Sequence, residues 1–532
     1  MGMFLNPGNQ AFCEIAEADF YVDKTMLLQF TNKRLKNPSL KYICVSRPRR
    51  FGKTVTSNMI CAYYSKGCDS DVLFSQFKIS SSDSYKKNLN KYNVLKVDIN
   101  AMYAKWHAVI SPNKKFSFVE YLTMSICEDM KETFPKIDYG KFESVSEYMQ
   151  RIYAQTNETF VIVMDEYDVL VREGVSEAEY KDFLAFLNSL FKNSDLEPAI
   201  SLAYLTGILP IMKDKIQSKL NVFDEITMLD ASEFAEFTGF THEDVRMICK
   251  KFNCSFDECK NWYDGYKLGQ YEIYNPRAVV QSCLKKKFQS YWSGTSSYEV
   301  VSEKILMNFA GTKDAVVSML SGGMVEVNVK KYNNTLAGIK SLDDVLTFLI
   351  HLGYLAYDEN AGICFIPNRE VHEEWINAIE DNDEYAEPNR IIKASKNLFY
   401  STISGDEVAV AKALDVSHVH VSSNLSYNNE YSLQSAIYLA YIYLLNYYLI
   451  VKEMPSGKGV ADISYIPFDK NKPALIVELK HNGSPFSALK QIKEKLYFDT
   501  FSNWNGEVIF VGINYDEKTK THSCKIERFN KT

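Results

Sequence analysis

The chain has 532 residues, 46% hydrophobic and 24% charged, and a formal net charge of −7. At roughly 150 residues per domain this length predicts about three domains. The ordinary composition excludes long disorder, and the acidic balance excludes a protein that coats nucleic acid by bulk charge, leaving only a local groove for such a contact.

The 11 cysteines show no paired spacing. The C-x4-C-x4-C run of Cys249, Cys254 and Cys259 is not a zinc spacing, so a reduced intracellular protein, cytoplasmic or nuclear, is expected. Met1 to Ala11 carries neither a basic n-region nor an apolar h-region, and Asn6 stands where a myristoylation signal needs Ser or Thr. The apolar run Ala436 to Val451 falls short of the roughly 20 residues of a membrane span. It reads as a buried core helix, and no membrane partner is expected.

In chain order, Leu40 to Val45 reads as a buried strand and Val55 to Tyr64 as a helix, with Ser46-Arg47-Pro48-Arg49-Arg50-Phe51-Gly52-Lys53-Thr54 between them. This is the context of a phosphate loop. Lys53 would meet the β and γ phosphates of ATP and Thr54 would bind Mg²⁺, with backbone N–H groups at the helix start facing the anion. The general pattern asks for Gly where this chain has Arg47, and Pro48 stiffens the loop; the other reading of these residues is a basic turn without a ligand.

A second strand, Asn93 to Asp98, and a helix, Phe116 to Glu132, follow. Phe160 to Met164 then reads as a strand ending in Asp165-Glu166. Beside a phosphate loop, Asp165 would hold the Mg²⁺ hydration shell and Glu166 would polarise the attacking water; alone, the same residues are a buried strand with a solvated acidic end. Glu177 to Phe191 is an amphipathic helix, Ala199 to Leu205 a strand closed by Thr206-Gly207, and Asn221 to Leu229 a fifth strand. Thr206 is placed to sense the γ-phosphate, or is simply a turn residue. Strands alternating with helices predict an α/β doubly wound sheet with its ligand at the carboxyl ends.

From Phe234 to Leu284 the pattern turns helical, as a lid over that site. The helix Leu342 to Leu355, a hairpin of Ala356-Tyr357 with Ile363 to Ile366, and the helix Glu370 to Ile379 resemble a winged helix, and Asp381 to Pro388 reads as a linker.

The C-terminal part holds a second acidic constellation. Asp462 opens an apolar run, and Glu478 and Lys480 lie two apart on one strand, hence on one face. Asp462 and Glu478 would bind a divalent metal, Mg²⁺ or Mn²⁺, and Lys480 would orient or deprotonate water for attack on a phosphodiester. Glu430 would complete the metal shell, while Gln491 lies on a helix, Ala488 to Tyr497, with Lys490, Lys493 and Lys495. The plain alternative is a surface ion-pair strand.

Tyr21-Val22-Asp23-Lys24-Thr25, Arg47 to Thr54, Asp165-Glu166-Tyr167-Asp168, and Trp262-Tyr263-Asp264-Gly265-Tyr266 with Tyr274-Asn275-Pro276 together resemble the AAA-ATPase-like proteins that carry a C-terminal PD-(D/E)XK nuclease-superfamily domain. The tail is similar to that nuclease domain at Gly459-Val460-Ala461-Asp462-Ile463, Glu478-Leu479-Lys480 and Gln491 to Tyr497, with Val460 where the family often has Arg. In this family Arg in place of the first loop glycine is usual. The resemblance implies a P-loop domain with a helical lid over 1–285, a helical, winged-helix-like connector over 286–397 and a restriction-endonuclease-like α/β domain over 398–532. It implies ATP with Mg²⁺ at residues 47–54, Asp165, Glu166 and Thr206, and nuclease catalysis by Glu430, Asp462, Glu478, Lys480 and Gln491. Nucleic acid is the expected partner, DNA before RNA, and a homo-oligomer is compatible with it. The rival expectation is an ATP-dependent switch whose nuclease-like domain binds nucleic acid or a partner without cutting.

Overall fold

The computed structural model describes residues 2–110, 116–141, 143–211, 220–292, 299–320, 322–332, 338–380, 386–421, 433, 437, 440–456, 459–467, 469, 472–495, 497 and 506–529. The chain divides into two compact units, one of Met1–Ser296 with Glu326–Glu370 and one of Ser297–Val325 with Val371–Thr532.

The first unit is built on five parallel strands, β1 (Tyr42–Ser46), β2 (Asn93–Asp98), β3 (Phe160–Asp165), β4 (Ile200–Gly207) and β5 (Asp224–Ile226), in the order β2-β3-β4-β1-β5. Every residue of β1, β3 and β4 is buried, as a parallel sheet covered on both faces requires. Successive side chains alternate between faces. Tyr42, Cys44, Ile162, Met164, Ala203 and Leu205 pack with the helices Phe118–Thr133, Val145–Thr156 and Glu177–Phe191, whereas Ile43, Val45, Val161, Val163, Leu202 and Tyr204 pack with α1 (Lys53–Tyr64). Ser117 and Ser176 start two of these helices with reciprocal capping boxes, which satisfy N–H groups that would otherwise have no partner.

The lid differs from an all-helical expectation. Its helices His242–Phe252, Phe256–Tyr263 and Pro276–Lys285 enclose a small antiparallel sheet of Phe240–Thr241, Tyr271–Tyr274 and Tyr266–Leu268. The alternation of aromatic and polar residues across Tyr266 to Tyr274 gives it strand periodicity, with Gly269 (φ 58) in the turn. The helix Leu342–Leu352, the hairpin Ala356–Asp358 with Ile363–Phe365, and the helix Arg369–Glu380 follow one another along the chain. The hairpin carboxylate of Asp358 pairs with Lys267 at 2.8 Å, and the Tyr266 hydroxyl donates to the Gly353 carbonyl at 2.6 Å.

The second unit holds a mixed sheet of β6 (Tyr448–Ser456), β7 (Gly459–Pro467), β8 (Ala474–His481), β9 (Val508–Asp516) and β10 (Thr521–Phe529), paired in that order. Only β8 and β9 are parallel, and the helix Pro485–Glu494 lies between them in sequence. Here the structure corrects the reading of Ala436 to Val451 as one helix. A 3-10 turn covers Ile442–Asn446 and β6 begins at Tyr448, because the β-branched and aromatic run after Asn446 fits a strand paired with β7. Of the expected linker Asp381 to Pro388, residues 381–385 lie outside the described residues, and Pro388 falls in the first turn of a helix, Ala386–Ser404, where a missing N–H costs nothing. Among the described residues, no helix is long and apolar enough to cross a membrane.

Gly265 has φ +107, and a Cβ there would lie 1.9 Å from the Pro367 backbone oxygen, whereas one at Gly269 would meet nothing within 4 Å. Gly265→Ala is therefore expected to destabilise the first unit by about 2 kcal/mol or more, and Gly269→Ala by about 1 kcal/mol, from backbone strain alone. Thermal unfolding of both variants checks this, and equal melting shifts would contradict it.

Candidate functional sites

The phosphate-loop stretch lies at the carboxyl end of β1. Gly52, at φ 86, ends it, and α1 begins at Lys53. Arg50 is also left-handed, at φ 70. The loop and the ends of neighbouring elements line a cavity of about 740 Å³ that includes Arg49, Arg50, Gly52, Lys53, Thr54 and Glu166.

Arg47 does not face this cavity. Its guanidinium is fully buried and donates to the Ser46 carbonyl at 2.9 Å, the Ile226 carbonyl at 3.3 Å and the Thr238 hydroxyl at 3.0 Å. Burial pulls its pKa down to about 10. Arg47 is thus a brace between β1 and β5. Pro48 would touch any Cβ placed on Gly353, Arg50 donates to the Tyr291 carbonyl, and Phe51 meets Tyr266 edge to face at 5.3 Å. These residues shape the loop from behind and leave Lys53 and Thr54 at its mouth.

Lys53 is 6% exposed, and its ammonium donates to the carbonyls of Arg47 and Pro48 at 3.0 and 2.9 Å. Burial pulls its pKa down to about 8, against the attraction of Asp168, Asp165 and Glu166. An ammonium held by neutral carbonyls in a cationic cavity fits a phosphate, which would supply the missing negative charge. Asp165 is buried and accepts from the Thr206 hydroxyl, so the structure brings these two expected residues together. Glu166, at φ 53, turns into the cavity.

Four further residues belong here. Arg172 bridges Glu166 at 2.8 Å and Asp168 at 3.3 Å; burial disfavours its charge, but the two carboxylates outweigh this and raise its pKa. Asp168 in turn accepts from the N–H groups of Ile208 and Leu209 at 3.0 and 2.9 Å, just after β4. Arg277 and Lys24 also line the cavity. The signal for Arg277 was the Asn275-Pro276 pair, since Asn275 caps the helix whose second residue is Arg277. The (i, i+4) spacing of Asp168 and Arg172 was the signal for the other.

The second constellation is at the point where β7 and β8 part. Their pairing runs from Tyr465 opposite Leu475 to Ile463 opposite Val477. One residue further, the Leu479 N–H donates to the Asp462 carboxylate at 2.7 Å. Glu478 is 1% exposed; Lys480 donates to its Oε1 at 3.2 Å, and its Oε2 has no hydrogen-bond partner among the described residues. Burial, followed by the charge of Asp462, pushes the Glu478 carboxyl up to about 7. Gln491 donates to the Tyr497 hydroxyl at 3.1 Å. Burial and the nearby Glu478 and Asp462 charges raise the Tyr497 phenol, so this ring faces the same cluster. Its helix ends at Glu494, short of Tyr497. Lys490 and Lys493 sit in exposed ion pairs with Glu494 and Glu527. Glu430 lies outside the described residues. A buried carboxylate oxygen without a donor, beside a second carboxylate, fits a hard divalent cation.

A family model described as predicted AAA-ATPase matches residues 7–217, and one for the PD-(D/E)XK nuclease superfamily matches residues 428–524. The chain carries both domains. A relative, an uncharacterized protein in the vnfD 5′ region of Azotobacter chroococcum mcd 1, is 25% identical over 304 residues, 55% of this chain and 54% of that protein. The match thus spans about half of the relative's length. Among solved structures, AMPPCP-bound DnaA from Aquifex aeolicus is 11% identical, covering 78% of this chain and 90% of its own at a TM-score of 0.25. The ORC2 protein of Aeropyrum pernix, in ADPNP–ADP complexes, is 11% identical, covering 69% and 98% at a TM-score of 0.30.

The raised Glu478 carboxyl sets a pH dependence. Between pH 4.5 and about 7 the unfolded chain has lost this proton while the folded chain keeps it. The folded state then binds more protons, and stability falls as pH rises through this window. A cation at Glu478 must displace the proton, so Mn²⁺ affinity should rise up to about tenfold per pH unit to about pH 7 and then level off. Calorimetric titration with Mn²⁺ from pH 5.5 to 8 measures this, and Glu478→Gln should flatten the profile.

Proposed function

We propose that the first unit binds and hydrolyses ATP and that the second is a metal-dependent nuclease acting on DNA, with the ATPase controlling cleavage. The observation that carries the nuclease reading is the orphaned, buried Oε2 of Glu478, set between Asp462 and Lys480 where the strand pairing stops. A buried polar atom left without a partner calls for a ligand, an ion or a water to meet it.

In this reading Lys53 leaves the Arg47 and Pro48 carbonyls for the phosphates, and Thr54 and Asp165 hold Mg²⁺. Thr206, bonded to Asp165, couples the γ-phosphate to that carboxylate. Glu166 orients the attacking water once its ion pair with Arg172 is loosened. In the second unit Asp462, Glu478 and the Leu479 carbonyl would hold Mg²⁺ or Mn²⁺, which supplies an activated water and a polarised phosphate oxygen. Lys480 orients that water and neutralises developing charge; Gln491, held by Tyr497, lines the approach. Glu430 is assigned to the metal shell on sequence alone. The acidic net charge of the chain agrees with nucleic-acid contact confined to a groove.

Two experiments test the two halves. Lys53→Ala should weaken ATP binding about a hundredfold or more, because it removes a charge-assisted contact to phosphate; calorimetry with ATP on folded protein reads it, and unchanged affinity would remove the nucleotide site. Asp462→Ala and Glu478→Ala should each abolish Mg²⁺- or Mn²⁺-dependent cleavage of labelled DNA and keep gel-shift affinity equal or stronger. Cleavage that persists in both variants would place the active centre elsewhere, and a parent that binds DNA but cuts under no divalent metal would favour the non-cutting switch.

A further inference from the structure

The lid gathers a histidine and two carboxylates at a point away from both sites described above. His242 opens the helix His242–Phe252, Asp264 follows the helix Phe256–Tyr263, and Glu272 lies on the strand Tyr271–Tyr274. One ring nitrogen of His242 and one carboxylate oxygen from each acid all fall within 4.8 Å of one another.

The fold sets each donor in place. Thr241 caps the helix that His242 begins, and the Phe256 ring meets the imidazole edge to face at 4.7 Å. Nδ1 of His242 is thereby held 3.5 Å from the Glu272 carboxylate and 3.2 Å from the hydroxyl of the buried Tyr274. The Gly265 N–H donates to Oδ1 of Asp264 at 2.7 Å and fixes that carboxylate on its turn.

The two negative charges are poorly met. The Lys260 ammonium is 3.7 Å from Asp264 and 3.8 Å from Glu272, beyond hydrogen-bond reach of either, and its side chain is 45% exposed. Lys267, the cross-strand neighbour of Glu272, pairs with Asp358 instead. Burial, reinforced by the Glu272 charge, pushes the Asp264 carboxyl above its ordinary value. An exposed ammonium at these distances is weakly held and easily displaced.

We propose that His242, Asp264 and Glu272 bind a divalent transition-metal ion, Zn²⁺ in preference to Mg²⁺, which ties the three lid segments together. One imidazole nitrogen with two carboxylate oxygens is a zinc donor set, whereas Mg²⁺ favours oxygen alone. Tetrahedral bonds of about 2.0–2.1 Å separate ligand atoms by roughly 3.3–3.4 Å. His242 and Glu272 already stand near that spacing, and the exposed Glu272 side chain is free to close on Asp264. Lys260 turns to solvent as the ion arrives, and three protein ligands leave the fourth position to water. This site is independent of the nucleotide and nuclease readings.

The test uses the full chain carrying Asp462→Asn and Glu478→Gln, which removes the carboxylate pair of the second unit. Zn²⁺ is titrated by calorimetry, and Co²⁺ serves as its spectroscopic stand-in. One ion per chain should bind, and Co²⁺ should show ligand-field bands without a thiolate charge-transfer band, which separates this site from the lid-core cysteines Cys249, Cys259 and Cys283. His242→Ala and, at an exposed position where folding is not at stake, Glu272→Gln should each weaken Zn²⁺ by more than about tenfold, since even an outer partner of a metal is worth that much. Lys260→Gln should tighten Zn²⁺ severalfold because a competing cation has gone; a cluster that is only an ion pair predicts no gain. Zn²⁺ affinity unchanged in both His242→Ala and Glu272→Gln, a thiolate band from bound Co²⁺, or no tightening in Lys260→Gln would each overturn the assignment.

Discussion

A fully enclosed guanidinium with no carboxylate bonded to it governs the first unit. Arg47 stands where phosphate loops otherwise carry glycine, and its charge is carried by two carbonyls and a hydroxyl. Burying a cation this way is costly, and its bonds through Nε and Nη1 offset part of that cost, while Nη2 has no partner among the described residues. These bonds tie the last residue of β1 to β5 and to Thr238 beyond it, so the loop that follows leaves the sheet in one direction. The carbonyls of Arg47 and Pro48 then point to Lys53, and the left-handed turns at Arg50 and Gly52 bring the chain back into α1. The loop is rigid where a glycine-rich loop would be pliant.

The ends of β3 and β4 carry a comparable network. Asp168 is bonded to two backbone N–H groups after β4, and Arg172 links it to Glu166. Any anion that draws Arg172 toward itself therefore also alters the partner of Glu166. The second unit is arranged differently, with a carboxylate left under-satisfied where two strands separate. In the first unit the carboxylates share one guanidinium, whereas in the second a single Lys480 ammonium meets only one oxygen of Glu478.

Much of this was legible in the sequence because it depends on local pattern. Continuous apolar strands, one followed by the loop to Lys53-Thr54 and one ending at Asp165-Glu166, marked the parallel sheet and its working edge, and the two-residue spacing put Glu478 and Lys480 on one face. What was not legible depends on pairing between distant residues. Nothing local says that Arg47 faces inward, since its partners lie near residues 226 and 238. The run from Ala436 to Val451 has the same hydrophobicity as strand or as helix, and only the partner strand β7 decides. Asn275-Pro276 marked the start of the helix that carries Arg277, but a lid helix reads as amphipathic whichever side faces a ligand, so the cavity side of it was not legible.

The packing of Pro48 against Gly353 and of Phe51 against Tyr266, itself bonded to Gly353, bears on how the protein is made. The loop is translated early, but one of its walls emerges roughly 300 residues later, at about 5–20 residues per second. For something like 15 to 60 s the nascent phosphate loop has its strand and helix without that backing. Phe51 itself waits for Tyr266, roughly 215 residues later and about 10 to 45 s at that rate, and until then its apolar side chain lacks a surface that covers it in the finished protein.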